Sequence, residues 1–176
     1  HGFGMVGQHS ENITMDDVDF EAPKESGRTT AGYADFVQMS GCKGTINISN
    51  CTFAGPHDDP INIHGTFNTV TAISSDRRTI TVQYNHNETA GFPNFFEGDE
   101  IEFMTKGNMI TVEDSVRTVT KVDGPDGMGG NMGDGSGSLT TIKLTLNEAV
   151  PSDVQVNQHV VENITYTPTV NITNCE

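Results

Sequence analysis

Residues 34–66 carry one alternation of apolar and polar positions twice. Shifted by 24 residues, Ala34 falls on Asp58, Asp35 on Asp59, Val37 on Ile61, Gln38 on Asn62, Met39 on Ile63 and Gly41 on Gly65. Each copy has an acid, then apolar, polar and apolar positions in period two, then a glycine. That pattern predicts a short strand closed by a corner at which glycine takes a positive φ. A second pattern occurs three times, at residues 13–23, 46–56 and 170–176. There Ile13, Ile46 and Val170 match, as do Met15, Ile48 and Ile172, then Asp17, Asn50 and Asn174, and Val18, Cys51 and Cys175. Phe20 matches Phe53, and Pro23 matches Pro56. Repeats of this length predict a solenoid in which each strand stacks on its equivalent in the previous winding. Stacked asparagines at a corner are expected to hydrogen-bond along the ladder.

Two spacings break the 24-residue register. Ile13 to Ile46 is 33 residues, which leaves nine extra residues in a loop over residues 21–33, directly before Asp35 and containing Lys24, Glu25 and Arg28. Ile46 to Val170 is 124, so one winding carries an insertion of about 100 residues after Gly65. Inside it, residues 67–73, 79–84, 100–104, 109–113, 116–122, 141–146 and 154–156 are rich in Val, Ile and Thr and predict strands, with a hairpin turn at residues 74–78. Seven short strands in such a length predict a small antiparallel barrel or sandwich. Residues 124–138 hold seven glycines in fifteen positions and predict a loop with no phosphate-binding role. Phe92, Phe95 and Phe96 form an apolar loop expected to pack the insertion against the solenoid. The fold expected is all-β: a right-handed parallel β-helix of few coils at residues 1–66, an inserted antiparallel β-barrel at 67–166, and a return strand of the helix at 167–176.

Composition narrows the partners. Apolar residues make up 34% of the 176, low for a deep core and acceptable for a thin solenoid. A net charge of −15 argues against nucleic acid and anionic membranes, which need a basic surface to displace counterions. With only nine Lys and Arg, of which Arg77 and Arg78 alone are adjacent, a polyanionic substrate is disfavoured and a neutral ligand fits better. No run of 18 apolar residues is present to span a membrane as a helix. The chain reads as a piece of a longer protein, whose remaining β-helix coils would be its partners. Cys42, Cys51 and Cys175 make no CxxC motif, and the equivalence of Cys51 and Cys175 favours stacked free thiols over a disulfide. Asn-x-Ser/Thr sequons such as those at Asn12, Asn47, Asn87, Asn163 and Asn171 are mostly a by-product of the repeat.

The register also gathers chemistry. It stacks Asp35 on Asp59 with backbones about 4.8 Å apart, and like charges so placed cost energy unless a proton, a cation or a reaction uses them. Glycoside hydrolysis needs one carboxylic acid to protonate the leaving oxygen and one carboxylate to activate water or attack the sugar. Asp58 precedes Asp59 at the corner and is expected to point to a different part of the cleft, a third carboxylate set apart from the pair. That spacing suits inversion, in which about 6.5–9.5 Å separates acid from base. Two other readings stay open: an Asp-Asp that caps its own turn, and a calcium site built from hard oxygen ligands. His57 and His64, with Asn62 and Arg28, are the candidates to contact sugar hydroxyls.

The strings 41–46 (Gly-Cys-Lys-Gly-Thr-Ile), 50–53 (Asn-Cys-Thr-Phe) and 58–66 (Asp-Asp-Pro-Ile-Asn-Ile-His-Gly-Thr), with residues 98–103 of the insertion, resemble glycoside hydrolase family 110. These are bacterial α-1,3-galactosidases that remove terminal galactose from blood-group-B-type glycans. The resemblance implies a β-helix interrupted by a β-barrel, inversion, no cofactor and no metal, and catalytic acids at Asp35, Asp58 and Asp59. It further implies a secreted, cell-surface or periplasmic protein and a neutral galactose-containing glycan as substrate. The disposition of the aspartates is also similar to that of polygalacturonases, which the lack of a basic cluster sets aside. Pro60 departs from the pattern where a small residue such as alanine is expected, and its missing N–H is expected to break one rung of the ladder. The rival readings are a non-catalytic carbohydrate-binding or adhesion solenoid, a polygalacturonase-like hydrolase and a polysaccharide lyase.

Overall fold

A computed structural model of the chain describes residues 2–86, 93–125 and 141–176. It divides into two compact units: His1–Gly65 with Tyr166–Glu176, and Thr66–Thr165. Described secondary structure is all strand, apart from two short 3-10 turns.

The first unit is made of strands that run in sequence and pair in parallel with those of the next pass. β1 (Met5–Gln8), β2 (Glu11–Asp16) and β3 (Asp19–Phe20) form one pass, and β4 (Val37–Ser40), β5 (Lys43–Ser49) and β6 (Thr52–Phe53) form the second. The third begins with β7 (Ile61–His64) and resumes with β14 (Thr169–Thr173). The sheets are β1-β4-β7, β2-β5-β14 and β3-β6, all parallel. Register follows the repeats: Val37 faces Ile61 and Met39 faces Ile63, while Ile13 and Val170 both face Ile46. Strand β1, which the repeats did not reveal, pairs Met5 with Val37 at a shift of 32. Alternation sends Val37, Met39, Ile46, Ile48, Met15, Cys42 and Cys51 into one core, where Phe20 and Phe53 stack with ring centroids 5.4 Å apart. Each such side chain withdrawn from water contributes about 1.5–3 kcal/mol.

The corners explain the repeated spacing of small polar residues. Asp17, Asn50 and Asn174 all adopt left-handed backbone, with φ of 56°, 55° and 53°, a conformation that Asn and Asp tolerate better than most. Their neighbours knit the ladder: Asn174 Nδ2 donates to Asn50 Oδ1 (3.3 Å), Asn50 Nδ2 to Asp16 Oδ1 (2.8 Å), and Asn171 Nδ2 to Asn47 Oδ1 (2.9 Å). At the other corner Gly41 takes φ 57° and His9 fills the equivalent place at φ 45°. Gly65 is not left-handed: the chain departs there into the second unit instead of turning the corner. The three cysteines are free thiols, each donating to the carbonyl two residues before it, Ser40, Ser49 or Thr173. His9 lies against the Tyr166 ring at 4.3 Å, and Lys43 Nζ sits 4.9 Å from the same ring. Burial, helped by the Lys43 charge, pushes the His9 pKa down to about 4.

The second unit is a closed six-stranded antiparallel barrel in the order β10-β11-β12-β9-β8-β13. Its strands are β8 (Phe67–Ile73), β9 (Thr79–Tyr84), β10 (Glu100–Thr105), β11 (Arg117–Asp123), β12 (Thr141–Leu146) and β13 (His159–Asn163). Two expected strands are absent. Residues 109–113 make a single bridge, Thr111 to Met104, and residues 154–156 lie in a loop whose Val154 carbonyl accepts from Arg77 Nη2. The strand the patterns missed, β13, closes the barrel between β8 and β10. Phe95 belongs to the barrel's own core and Phe96 is 45% exposed, while Phe92 lies outside the described residues. So does the glycine-rich stretch from residue 126 to 138.

Candidate active site

The ladder that stacks β4 on β7 continues backwards into the acidic residues. Phe36 N donates to the Asp59 carbonyl at 3.1 Å, and Val37 N to the Pro60 carbonyl at 3.2 Å. The rung expected to fail at Pro60 is therefore made, because the proline supplies its carbonyl and not its absent N–H. These bonds hold Asp35 directly alongside Asp59. One carboxylate oxygen from each of Asp35, Asp58 and Asp59 lies within 4.8 Å of one from each of the others. Asp58 is thus not set apart: the backbone over residues 57–60 is a bend and not a strand, so consecutive side chains need not alternate sides. Asp35 is buried at 6% exposure, while Asp58 and Asp59 are exposed.

Geometry limits what such a triangle holds. Even with all sides at 4.8 Å, its centre lies about 2.8 Å from every corner, the usual length of an O–H···O hydrogen bond. A water there donates to two carboxylates and accepts a proton's bond from the third. A calcium ion needs oxygens at about 2.3–2.6 Å, a slightly tighter ring.

Of the four residues expected to contact substrate, each has a definite place. Asn62, on β7, donates its amide Nδ2 to Asp35 Oδ2 at 3.0 Å. Its amide therefore orients a carboxylate, and suits the acceptor-only ionised form. His64, half-buried at the end of the same strand, has Nδ1 2.7 Å from the Gly65 carbonyl and Nε2 3.4 Å from Gln38 Nε2. A carbonyl only accepts, so Nδ1 carries a proton, and Nε2 faces the Gln38 amide. His57 is exposed and its Nδ1 lies 3.1 Å from the Tyr33 carbonyl. Its ring stacks on Tyr33 at 5.2 Å and 14°. Arg28 is exposed on the loop over residues 21–33 and, with Thr30, Ala31, Gly32, Tyr33 and His57, lines a cavity of about 190 Å³.

That loop is fastened, not free. A 3-10 turn at Lys24–Ser26 ends on left-handed Gly27, Ser26 Oγ donates to the Pro23 carbonyl at 2.6 Å, and Ala31 N donates to the Gly55 carbonyl at 3.2 Å. Gly55 is itself left-handed at φ 66°, and a Cβ there would come within 2.8 Å of the Thr29 carbonyl. Sequence reading overlooked Gln38 and Tyr33. For Tyr33 a signal was present, since the 24-residue shift places it on His57.

Residues 79–126, within the barrel unit, match the model described as GLAA-B beta-barrel domain II. Alpha-1,3-galactosidase A of Streptomyces avermitilis is 51% identical over 168 residues, covering 96% of this chain and 26% of that protein. The protein of the same name from Peterkaempfera griseoplana is 48% identical over 176 residues, covering 98% and 24%, and that from Bacteroides thetaiotaomicron is 43% identical over 173, covering 98% and 28%. The chain thus resembles bacterial proteins named alpha-1,3-galactosidase along almost all of its own length and spans about a quarter of theirs.

Proposed function

We propose that the chain is the catalytic segment of a family 110 glycoside hydrolase, an exo-acting enzyme that releases terminal α-1,3-linked galactose from neutral glycans with inversion. One observation carries this reading: two stacked passes deliver three carboxylates to within 4.8 Å of one another. The name shared by the relatives supplies the substrate class. The few, scattered Lys and Arg of the chain suit a neutral sugar better than a polyanionic one.

In this mechanism Asp35, buried and hydrogen-bonded by Asn62, is the base that draws a proton from water. Asp58 or Asp59, both exposed, is the acid that protonates the leaving glycosidic oxygen, and the remaining aspartate orients the water. Water attacks the anomeric carbon as the bond to the aglycone breaks, and the proton lost to Asp35 balances the one given to the leaving group. A two-carboxylate site with oxygens within 4.8 Å sits nearer the retaining spacing, about 5–5.5 Å, than the inverting one. Inversion therefore rests on the family resemblance and not on the spacing of these acids, two of which hold the nucleophilic water while the third protonates the leaving oxygen.

The architecture proposed is a right-handed parallel β-helix bearing the barrel, in a secreted, cell-surface or periplasmic bacterial enzyme. Further coils would cover the sheet edges, where Val6, Val170 and Ile172 are 46%, 39% and 48% exposed. The test uses the full-length protein carrying this chain. Asp35→Asn is expected to lower galactose release by about 10²–10⁴-fold, and proton NMR of the wild-type reaction to show β-galactose first. Near-normal turnover of the variant removes Asp35 from the mechanism, and α-galactose first refutes inversion. Activity abolished by a chelator would favour the calcium reading.

A further inference from the structure

The geometry points to Tyr33 as a stacking platform for the terminal galactosyl ring, a role that selects galacto- over gluco-configured sugars. The inference rests on the hydrolase reading and deepens it by naming what recognises the sugar. Among the described residues Tyr33 is the most exposed large apolar side chain, at 73%. A tyrosine so exposed on a loop is ordinarily free to rotate, and this one is braced. One face of its ring lies on the His57 imidazole, nearly parallel at 14° with centroids 5.2 Å apart. The imidazole is in turn tied through Nδ1 to the carbonyl of Tyr33 itself, at 3.1 Å. The loop behind the ring is anchored by the bond from Ala31 N to the Gly55 carbonyl. An aromatic face is thus held rigid and left open, which lowers the entropy lost when a ligand covers it.

Position gives the platform its meaning. Tyr33 precedes Asp35 by two residues, and His57 immediately precedes Asp58. At about 3.3–3.6 Å per residue, the Tyr33 and Asp35 backbones are at most about 7 Å apart. The aromatic pair is related by the same 24-residue shift as the acids, so the two ladders run side by side. In α-galactose the axial 4-hydroxyl leaves the opposite face with C3–H, C4–H, C5–H and C6 as one apolar patch. Glucose, with that hydroxyl equatorial, has no such one-sided patch. The aromatic face takes the patch, while in the same cavity Arg28 offers donors to the hydroxyls at its edge and Thr30 Oγ1, which donates its own proton to the Gly32 carbonyl at 2.8 Å, offers an acceptor. The neighbouring acids then meet the anomeric carbon of a sugar whose ring plane is already fixed.

The experiment measures binding and turnover separately in the full-length protein. Methyl α-galactoside and methyl α-glucoside are titrated calorimetrically into the Asp35→Asn protein, alone and combined with Tyr33→Ala or Tyr33→Phe. Galactose release is followed in the same Tyr33 variants with Asp35 intact. Tyr33→Ala is expected to weaken methyl α-galactoside about tenfold and raise KM about as much, with kcat within about threefold, while Tyr33→Phe stays within about twofold of the parent. Saturation-transfer NMR should be strongest at H3, H4 and H5 of the galactoside. Unchanged binding in Tyr33→Ala, equal loss in Tyr33→Ala and Tyr33→Phe, or no preference of the parent for the galactoside each overturns the platform. Turnover with unaltered KM in Tyr33→Ala overturns the platform and leaves the hydrolase standing. Tyr33-dependent galactoside binding without any hydrolysis does the reverse.

Discussion

Acidification should loosen the first unit through His9, and the size of the effect can be worked out. In the unfolded chain this imidazole titrates near 6.5, and in the fold near 4, because the half-buried ring against Tyr166 loses solvation and Lys43 adds a like charge. Glu11, 3.5 Å from Lys43 Nζ, offsets part of that cation's field. The folded pKa is depressed, so between pH 4 and 6.5 the unfolded chain binds more protons. Stability is therefore full above pH 6.5 and falls as the pH drops towards 4. The whole gap corresponds to about 3 kcal/mol; discounted for the solvent that still reaches the ring, about 2 kcal/mol should be lost between pH 7.5 and 4.5. His9→Asn is the fitting comparison, because Asn tolerates the φ of 45° found there. Amide exchange of strands β1 and β4, measured at both pH values, reads the local stability. The wild type should lose about 2 kcal/mol more protection than His9→Asn, with carboxylate effects common to both cancelling. Equal losses in the two proteins would refute the assignment.

Two further perturbations separate roles near the acids. Asn62→Ala removes the amide that donates to Asp35 at 3.0 Å and should lower kcat by about 10–100-fold, the worth of a hydrogen bond to a charged group, with KM little changed; a rise in KM alone would make Asn62 the substrate contact that the sequence suggested. Gly55→Ala forces a left-handed alanine and drives its Cβ to 2.8 Å from the Thr29 carbonyl, so denaturant unfolding should show a loss of about 2 kcal/mol. The same variant should raise KM for galactosides, because the loop carrying Arg28 and Tyr33 loses its anchor, and an unaltered KM would show that the anchor does not position the site.

Much of the strand register was legible because a parallel stack repeats its apolar positions at the spacing of one pass. Ile13, Ile46 and Val170 announce each other, and the pairing follows. Strand β1 escaped because its corner residue is His9 and not glycine, and because no acid precedes it. In the barrel, β-branched composition over-read residues 109–113, which fold back on Thr105 and Phe103 of β10 with a single bridge and no ladder, and residues 154–156, whose Val154 carbonyl accepts from Arg77. The same reasoning passed over β13, which pairs on both sides through only five residues. The acids were legible as a pair, since register alone decides whether Asp35 meets Asp59. The place of Asp58 was not, because bends ignore the alternation by which strands assign faces. Asn62 shows a related limit: an amide beside carboxylates has two possible customers, sugar or acid, and only coordinates show which one it meets.

The nine surplus residues before Asp35 separate two kinds of inheritance. Pairing on either side of them is untouched, Ile13 with Ile46 behind and Val37 with Ile61 ahead, so the loop can lengthen, shorten or change its side chains without shifting a single aspartate. If the proposed hydrolase reading holds, descendants of this chain are free to trade one sugar preference for another by rewriting one short span, while the three aspartates stay where the ladder put them.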